Sequence, residues 1–381
     1  MSPHGYDRPR LLGDFAGAFG DLGTLLPLAL GAMTLAGLPA SGVLTGFGLA
    51  YALSALVYRA PIPVQPMKVA AAVLLATTPP VETVVAAGLV LGGFFLVAGA
   101  SGLIGRIAAW IPETVTAGLQ IGLGGTLGWM ALTQIAQAPA FGLVLLLAMA
   151  ALLWLRPQWP VAVILLVGGI GVGVLLGLVP GGTLPMPEPG WPALYWPNPA
   201  AFVEGTLTIA LPQLPLTLTN AILVMAVMGR ECFPQARHLD ATHLSLTTGA
   251  INLATAPLGA LPMCHGAGGA AAHHRFGART GRAPALLGAI LLTLGLVWGE
   301  AAVALLARVP TALLGVLLLV PALDLIRTAQ PWHWFGWDRM LVLAIAVLAV
   351  WSPGIAFLAG LLAALALGRT RSARERNSDA G

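Results

Sequence analysis

"PIPVQPMKVAAAVLL" (Pro61–Leu75) places three prolines within six residues and follows them with Lys68, the only lysine in the chain. A helix interior resists this pattern. Each proline lacks an N–H donor, and its ring pushes the preceding residue toward extended backbone. Residues 61–65 therefore read as extended chain, and Pro66 suits the first position of a helix that follows. A helix beginning there presents the N–H groups of Met67, Lys68 and Val69 without partners inside the helix.

The rest of the chain makes this stretch unusual. Of 381 residues, 58% are hydrophobic and 8% charged, with a mean hydropathy of +0.89. A soluble domain carries about 25% charged residues, so the composition is that of an integral membrane protein in contact with lipid. A helical span takes about 20 apolar residues; the short alternating strands of an outer-membrane barrel are missing. Hydrophobic segments lie at roughly 12–33, 40–58, 67–77, 83–104, 113–132, 140–155, 160–179, 203–228, 243–256, 264–273, 284–307, 311–328, 339–351 and 354–368. That gives about fourteen, of which 67–77 and 264–273 are too short to cross; the last two read as a hairpin that dips in and returns. The first ten residues are polar and offer no cleavable signal sequence.

The basic residues set an orientation. With a cytoplasmic amino terminus, sixteen of the eighteen Lys and Arg fall on the inner side, Arg308 falls outside, and Lys68 is left within the membrane. This positive-inside pattern predicts a multi-pass protein with both termini cytoplasmic, in the cell membrane, or the inner membrane where there are two. The arginines read as topology signals rather than nucleic-acid contacts. An outer loop at 180–200 carries no Lys or Arg but holds Trp191, Tyr195 and Trp196, as an interfacial segment does. Cys232 and Cys264 sit in different settings, so no structural disulfide is expected.

The chain repeats itself. "VQPMKVAAA" (64–72) aligns with "ALPMCHGAGG" (260–269), and the same offset sets Asp21 on Thr217 and Thr24 on Asn220. Seven segments in each half, an odd number, give the halves opposite orientation. The expected fold is all-α, a seven-plus-seven inverted repeat in which the third and tenth segments are broken half-helices. The first repeat then spans 1–200, the second 201–368, and 369–381 forms a cytoplasmic tail with no soluble carboxy-terminal domain.

The second broken segment, "PLGALPMCHGAGGAAAHHRFGARTG", enters from the opposite side and is expected to begin its helix near Pro262 to His265. Two helix amino-termini would then face each other. Each is worth about +0.5 charge, and Lys68 adds about one more, for a total of about +2. That suits a small dianion and repels a cation. Gly266, Gly268 and Gly269 let backbone approach a ligand; Gln65 and Gln213 offer neutral hydrogen bonds. Plainer readings stand beside these. The prolines serve packing alone, or Lys68 neutralises a buried acid such as Asp21. Cys264 and His265 have poor metal spacing, and no nucleotide-binding motif is present, so no metal or cofactor is expected. Asp14 and Asp21, in "GDFAGAFGDLGT", share a helical face that packs close to another element. Asp14 reads as a cap, Asp21 as a partner of Lys68 or a carrier of a coupling proton. Glu204 complements a helix dipole; Glu300 and Asp324 are relay residues or structural partners.

"GDFAGAFGDLGTLLPL", "PVQPMK" and "PMCHGAGGAAAHHRFGARTG" resemble the signature stretches of the molybdate transporter family, related to the SulP sulfate permeases, over essentially the whole chain. The resemblance implies a core domain beside a gate domain, with an oxyanion bound between the third and tenth segments. It assigns Gln65, Pro66, Met67 and Lys68 from the first broken segment, and Met263, Cys264, His265 and Gly266 from the second. Asp21, Thr24, Gln213, Thr217 and Asn220 would line the site from the first and eighth helices. No carboxy-terminal regulatory domain like that of typical sulfate permeases is expected after residue 368, and the reading leaves regulation and homodimer formation open. The expected activity is import of molybdate, or of tungstate or sulfate, by a secondary transporter that is no enzyme and is driven by a proton gradient. A nucleobase or bicarbonate carrier on the same fold is the rival within transport. A nucleobase carrier would be expected to offer a carboxylate where this chain offers Lys68, His265 and amides. A membrane enzyme using Cys264 and His265 is the rival outside it, and adjacent helical residues about 100° apart make no simple dyad.

Overall fold

The backbone from Pro61 to Val64 forms neither helix nor strand, as its missing donors require. In the computed structural model, which describes residues 11–104, 112–155, 161–179, 185–306, 308–353, 355–364 and 366, this stretch leads into a two-residue strand, β1 (Gln65–Pro66). β1 pairs antiparallel with β2 (Met263–Cys264), Gln65 opposite Cys264 and Pro66 opposite Met263. The Met67 N–H continues the ladder by donating to the Pro262 carbonyl at 2.8 Å. Non-helical backbone inside a bundle needs partners for its polar groups, and each broken segment finds them in the other.

This pairing shifts both half-helices downstream of where the sequence placed them. Pro66 belongs to the strand, and the first half-helix runs from Lys68 to Thr77 after an extended Met67. The second runs from Ala267 to Arg275 with Gly266 before it, later than the expected start at Pro262 to His265. The segment expected as one helix over 12–33 is likewise divided, into α1 (Leu11–Ala18) and α2 (Leu22–Thr34), with Asp21 at the amino-terminal end of α2.

The remaining elements in chain order are α3 (Ala40–Tyr58), the half-helix α4 (Lys68–Thr77), α5 (Val81–Ala100), α6 (Glu113–Ile135), α7 (Pro139–Leu155) and α8 (Val161–Leu175). α9 is one helical run over 199–232. Pro212 and Pro215 fall within it, and the turns at Thr206–Ala210 and Thr217–Val224 are wound as π-helix. Wider turns are a usual way for a helix to absorb a break in its hydrogen-bond ladder. α10 (Ala241–Thr255), the half-helix α11 (Ala267–Arg275), α12 (Arg282–Thr293), α13 (Ala301–Leu306), α14 (Thr311–Thr328), α15 (Gly336–Trp351) and α16 (Ile355–Ala364) follow. Among the described residues, α3, α5 and α6 are each long and apolar enough to cross a membrane alone; the others are shorter or interrupted.

Packing is paired. α5 lies along α10 and α3 along α12; α14 packs on α6, α6 on α15 and α7 on α14. α16 packs on α15, with Gly360 against Ile345. The loop over 185–198 has no regular secondary structure and is tied down by Tyr195 N–H to the Pro257 carbonyl (2.8 Å) and Gly190 N–H to the Leu296 carbonyl (3.1 Å). Trp191 and Trp196 are exposed on it. The amino-terminal ten residues, Arg106, Arg156 and the tail from 367 lie outside the described residues, so the arginines there keep only their sequence reading.

Candidate functional site

Prolines leave the entering chain rich in carbonyls and poor in donors, and three side chains supply what is missing. The Pro61 carbonyl meets His273 Nδ1 at 3.0 Å, the Ile62 carbonyl accepts from Ser54 Oγ at 2.7 Å, and the Pro63 carbonyl meets His265 Nδ1 at 3.0 Å. Ser54, His265 and His273 are fully buried. His265 also reaches Thr247 Oγ1 through Nε2 at 2.9 Å, and Tyr58 packs edge-on against its ring at 5.3 Å. His265 thus fastens the first broken segment to the second and to α10. On the same side, Asn252 of α10 brackets Met263, accepting from its N–H (2.9 Å) and donating to its carbonyl (2.7 Å).

The start of α4 is held from α9. Gln213 Oε1 accepts from the N–H groups of Val69 and Ala70 at 2.9 and 3.0 Å. Its amide nitrogen donates to Thr217 Oγ1 at 2.8 Å. The expectation of idle donors at Met67 and Val69 is therefore corrected: one is spent on the ladder and the other on Gln213. Gln213 and Thr217, buried in this cap, position the half-helix.

A cavity of about 250 Å³ opens in front of this framework, lined by Gly20, Asp21, Thr24, Gln65, Lys68, Gly268, Ala272, Val320 and Arg327. Asp21 and Gln65 are joined across it, the Gln65 amide donating to Asp21 Oδ1 at 2.5 Å. The same two side chains pack on the first turn of α11, where a methyl on Gly269 would come within 2.7 Å of both. Lys68, at the start of α4, is partly buried at the cavity wall. The cavity gathers cationic, amide and hydroxyl groups with one carboxylate, a set suited to holding a small oxyanion and exchanging a proton beside it.

The expected site residues therefore divide. Asp21, Thr24, Gln65 and Lys68 line the cavity. Pro66, Met67, Met263, Cys264, His265 and Gly266, expected to bind the substrate, are not among its lining residues; all are buried, Met67 and Met263 fully. Gly266 has no room for a side chain, because Gln65 packs against its Cα. The side chains of Asn220 and Asp324 lie outside the described residues. Arg327, read from sequence only as an inner-side topology charge, is an addition to the site, while Gly268, expected to let backbone approach a ligand, does line the cavity. Arg327 stands in the last turn of α14, where a cation complements the helix dipole, so its spacing alone gave no sign of a second role.

The first motif proves to be a clamp. Asp14 Oδ1 accepts from the N–H groups of Arg279 and Thr280 at 2.8 and 3.0 Å, and Oδ2 accepts from Thr280 Oγ1 at 2.6 Å. Gly13 lets α1 close on Gly277, and Gly20 lets the turn after it close on Phe276; an added methyl would come within 2.6 and 2.7 Å of them. Asp14→Ala is expected to lower the unfolding temperature of the purified protein, corresponding to about 2 kcal/mol for the abandoned donors. Asp14→Asn, which keeps an acceptor oxygen, should cost less. Equal stability of Asp14→Ala and the parent would discount the clamp.

Glu300 resolves as a structural partner. Its carboxylate accepts from Ala40 N–H at 2.9 Å and Ser41 N–H at 3.1 Å, and closely from the Ser41 hydroxyl, capping α3. Glu204 accepts from Thr83 Oγ1 at 3.1 Å. Both cysteines are free thiols. Among the described residues no three His, Cys, Asp or Glu side chains gather as a metal group.

A family profile described as "molybdate transporter of MFS superfamily" matches residues 13–127 and 205–325. Molybdate transporter 1 of Arabidopsis thaliana is 30% identical over 406 residues, spanning 92% of this chain and 86% of its own length. Molybdate transporter 2 of the same plant is 28% identical over 379 residues, spanning 84% of this chain and 79% of its own length. Among solved structures, the transmembrane domain of the cyanobacterial bicarbonate transporter BicA superposes with a TM-score of 0.66 at 19% identity, covering 92% of this chain and 98% of that one. The murine anion transporter Slc26a9 in its inward-facing state gives 0.68 at 13% identity, covering 96% of this chain and 69% of that one. At these identities the structural likeness concerns the fold.

Proposed function

The chain belongs to the molybdate transporter family, and from that premise we propose that it is a secondary active transporter importing molybdate, with tungstate and sulfate as competitors for the same site. The observation that carries this reading is the shared cavity: Lys68, Gln65 and Thr24 line one space with the first turn of α11. A tetrahedral dianion there accepts from Lys68, from the Gln65 amide and Thr24 hydroxyl, and from helix-terminal N–H groups.

Asp21 is the proton carrier in this scheme. As a carboxylate it lowers the positive charge of the cavity and binds the Gln65 amide. Protonated, it releases charge repulsion against an arriving dianion. A proton and an anion then favour each other's binding, which is the linkage a symporter needs. His265, with both ring nitrogens engaged in holding backbone and Thr247, suits anchoring better than proton transfer.

The architecture of the reading is a seven-plus-seven inverted repeat, its halves meeting near residue 200. The packing supports it: exchanging the halves turns the α5–α10 pair into α12–α3 and the α6–α15 pair into α14–α7, and all four pairs are in contact. The β1–β2 ladder joins the broken segments of the two repeats. The core domain comprises α1 to α5 with α9 to α13, and the gate comprises α6 to α8 with α14 to α16. Alternating access follows from movement of the core against the gate, with Arg327 of the gate facing the same cavity as Lys68.

Uptake of molybdate into proteoliposomes tests both parts. Import that quickens when the outside is made acidic is expected. Import indifferent to the pH gradient contradicts proton coupling, and no import under any gradient contradicts the transport reading itself.

A further inference from the structure

Three glycines open the second half-helix region, and they are not alike. Gly266 and Gly269 are buried, and a methyl on either would run into Gln65 or Asp21, so packing explains both. Gly268 is different. Its neighbours from Leu261 to Ala270 are all buried, yet Gly268 itself is exposed. A methyl built on it meets nothing within 4 Å. Gly268 lines the cavity shared with Lys68, Gln65 and Thr24. Glycine weakens a helix relative to alanine, and at this position neither a close neighbour nor a left-handed backbone angle requires it.

We infer that Gly268 sets the size preference of the site. This inference rests on the oxyanion reading above and deepens it. The bare Cα of Gly268 leaves room for the longer metal–oxygen bonds of molybdate or tungstate against the first turn of α11. A side chain there projects into the cavity and takes that room, while the smaller sulfate still fits between Lys68 and Gln65. Selectivity among tetrahedral dianions of equal charge must come from such geometry, since their electrostatic attraction to the cavity is similar.

The test compares the unsubstituted full-length protein with Gly268→Ala and Gly268→Ser, measuring molybdate binding by calorimetry and sulfate by competition. One added methyl in a fitted pocket discriminates by about tenfold or more. The expected result is a fall of about that size in the preference for molybdate over sulfate, with the unfolding temperature of Gly268→Ala no lower than the parent's. A preference that stays constant, whether both affinities hold or both fall together, overturns the inference and leaves the oxyanion reading standing. If the unsubstituted protein, folded, binds neither anion, the oxyanion reading fails and this inference fails with it.

Discussion

Lys68→Ala is expected to weaken molybdate binding by about 100-fold, roughly 3 kcal/mol, the upper range for a hydrogen bond made by a charged group. The figure is large because the lysine acts from a partly buried cavity wall, where a charge–charge contact is screened less than in bulk water. It is also the chain's only lysine. Lys68→Arg keeps the charge but replaces a compact ammonium with a planar fork; it should recover part of the affinity. The measurement is titration calorimetry on purified protein, with the unfolding temperature as a control for folding. Unchanged affinity in Lys68→Ala would reassign the lysine to structure and leave the anion to the helix termini and Gln65.

Gln213→Ala carries the largest expected effect on stability. It strips the acceptor from the buried N–H groups of Val69 and Ala70 and leaves Thr217 without its amide donor. Each orphaned buried donor costs about 1–3 kcal/mol, so the loss from the two should total about 2–6 kcal/mol. The half-helix that carries Lys68 also loses its anchor, and transport should fall with stability. Gln213→Glu restores an acceptor oxygen and should regain part of the stability. It also sets a carboxyl group near the anion site, so transport should stay impaired. Thermal unfolding in detergent and uptake in vesicles read the two effects separately. A Gln213→Ala protein as stable as the parent would show that α4 needs no such cap.

The prolines and Lys68 made the broken segments legible, because the missing donors and the misplaced charge are local properties of the sequence. The glycines around Asp14 likewise signalled close packing, but the shared helical face expected for Asp14 and Asp21 is broken between α1 and α2, and the two acids go to different partners. What sequence could not supply was the mutual rescue of the two breaks. The β1–β2 ladder pairs residues about 200 positions apart, and no local pattern says which donors a proline-rich strand will find. That is why the half-helices were expected too early and why donors at Met67 and Val69 were thought idle. Gln213 and His265 show the same limit: an amide and an imidazole suited to a ligand are equally suited to a buried carbonyl or N–H. Arg327 was hidden by a sufficient simpler role at a helix end. Gly268 stood among glycines that have ordinary packing reasons, and only the empty space before it set it apart.

The most direct measurement is to locate the anion, by diffraction from crystals of the protein grown with molybdate and recorded at the molybdenum absorption edge. The expected result is a single anomalous peak inside the cavity bounded by Lys68, Gln65, Thr24 and Gly268, lost in crystals of Lys68→Ala. A peak elsewhere in the molecule, or an empty cavity at saturating molybdate, would contradict the assignment of this site.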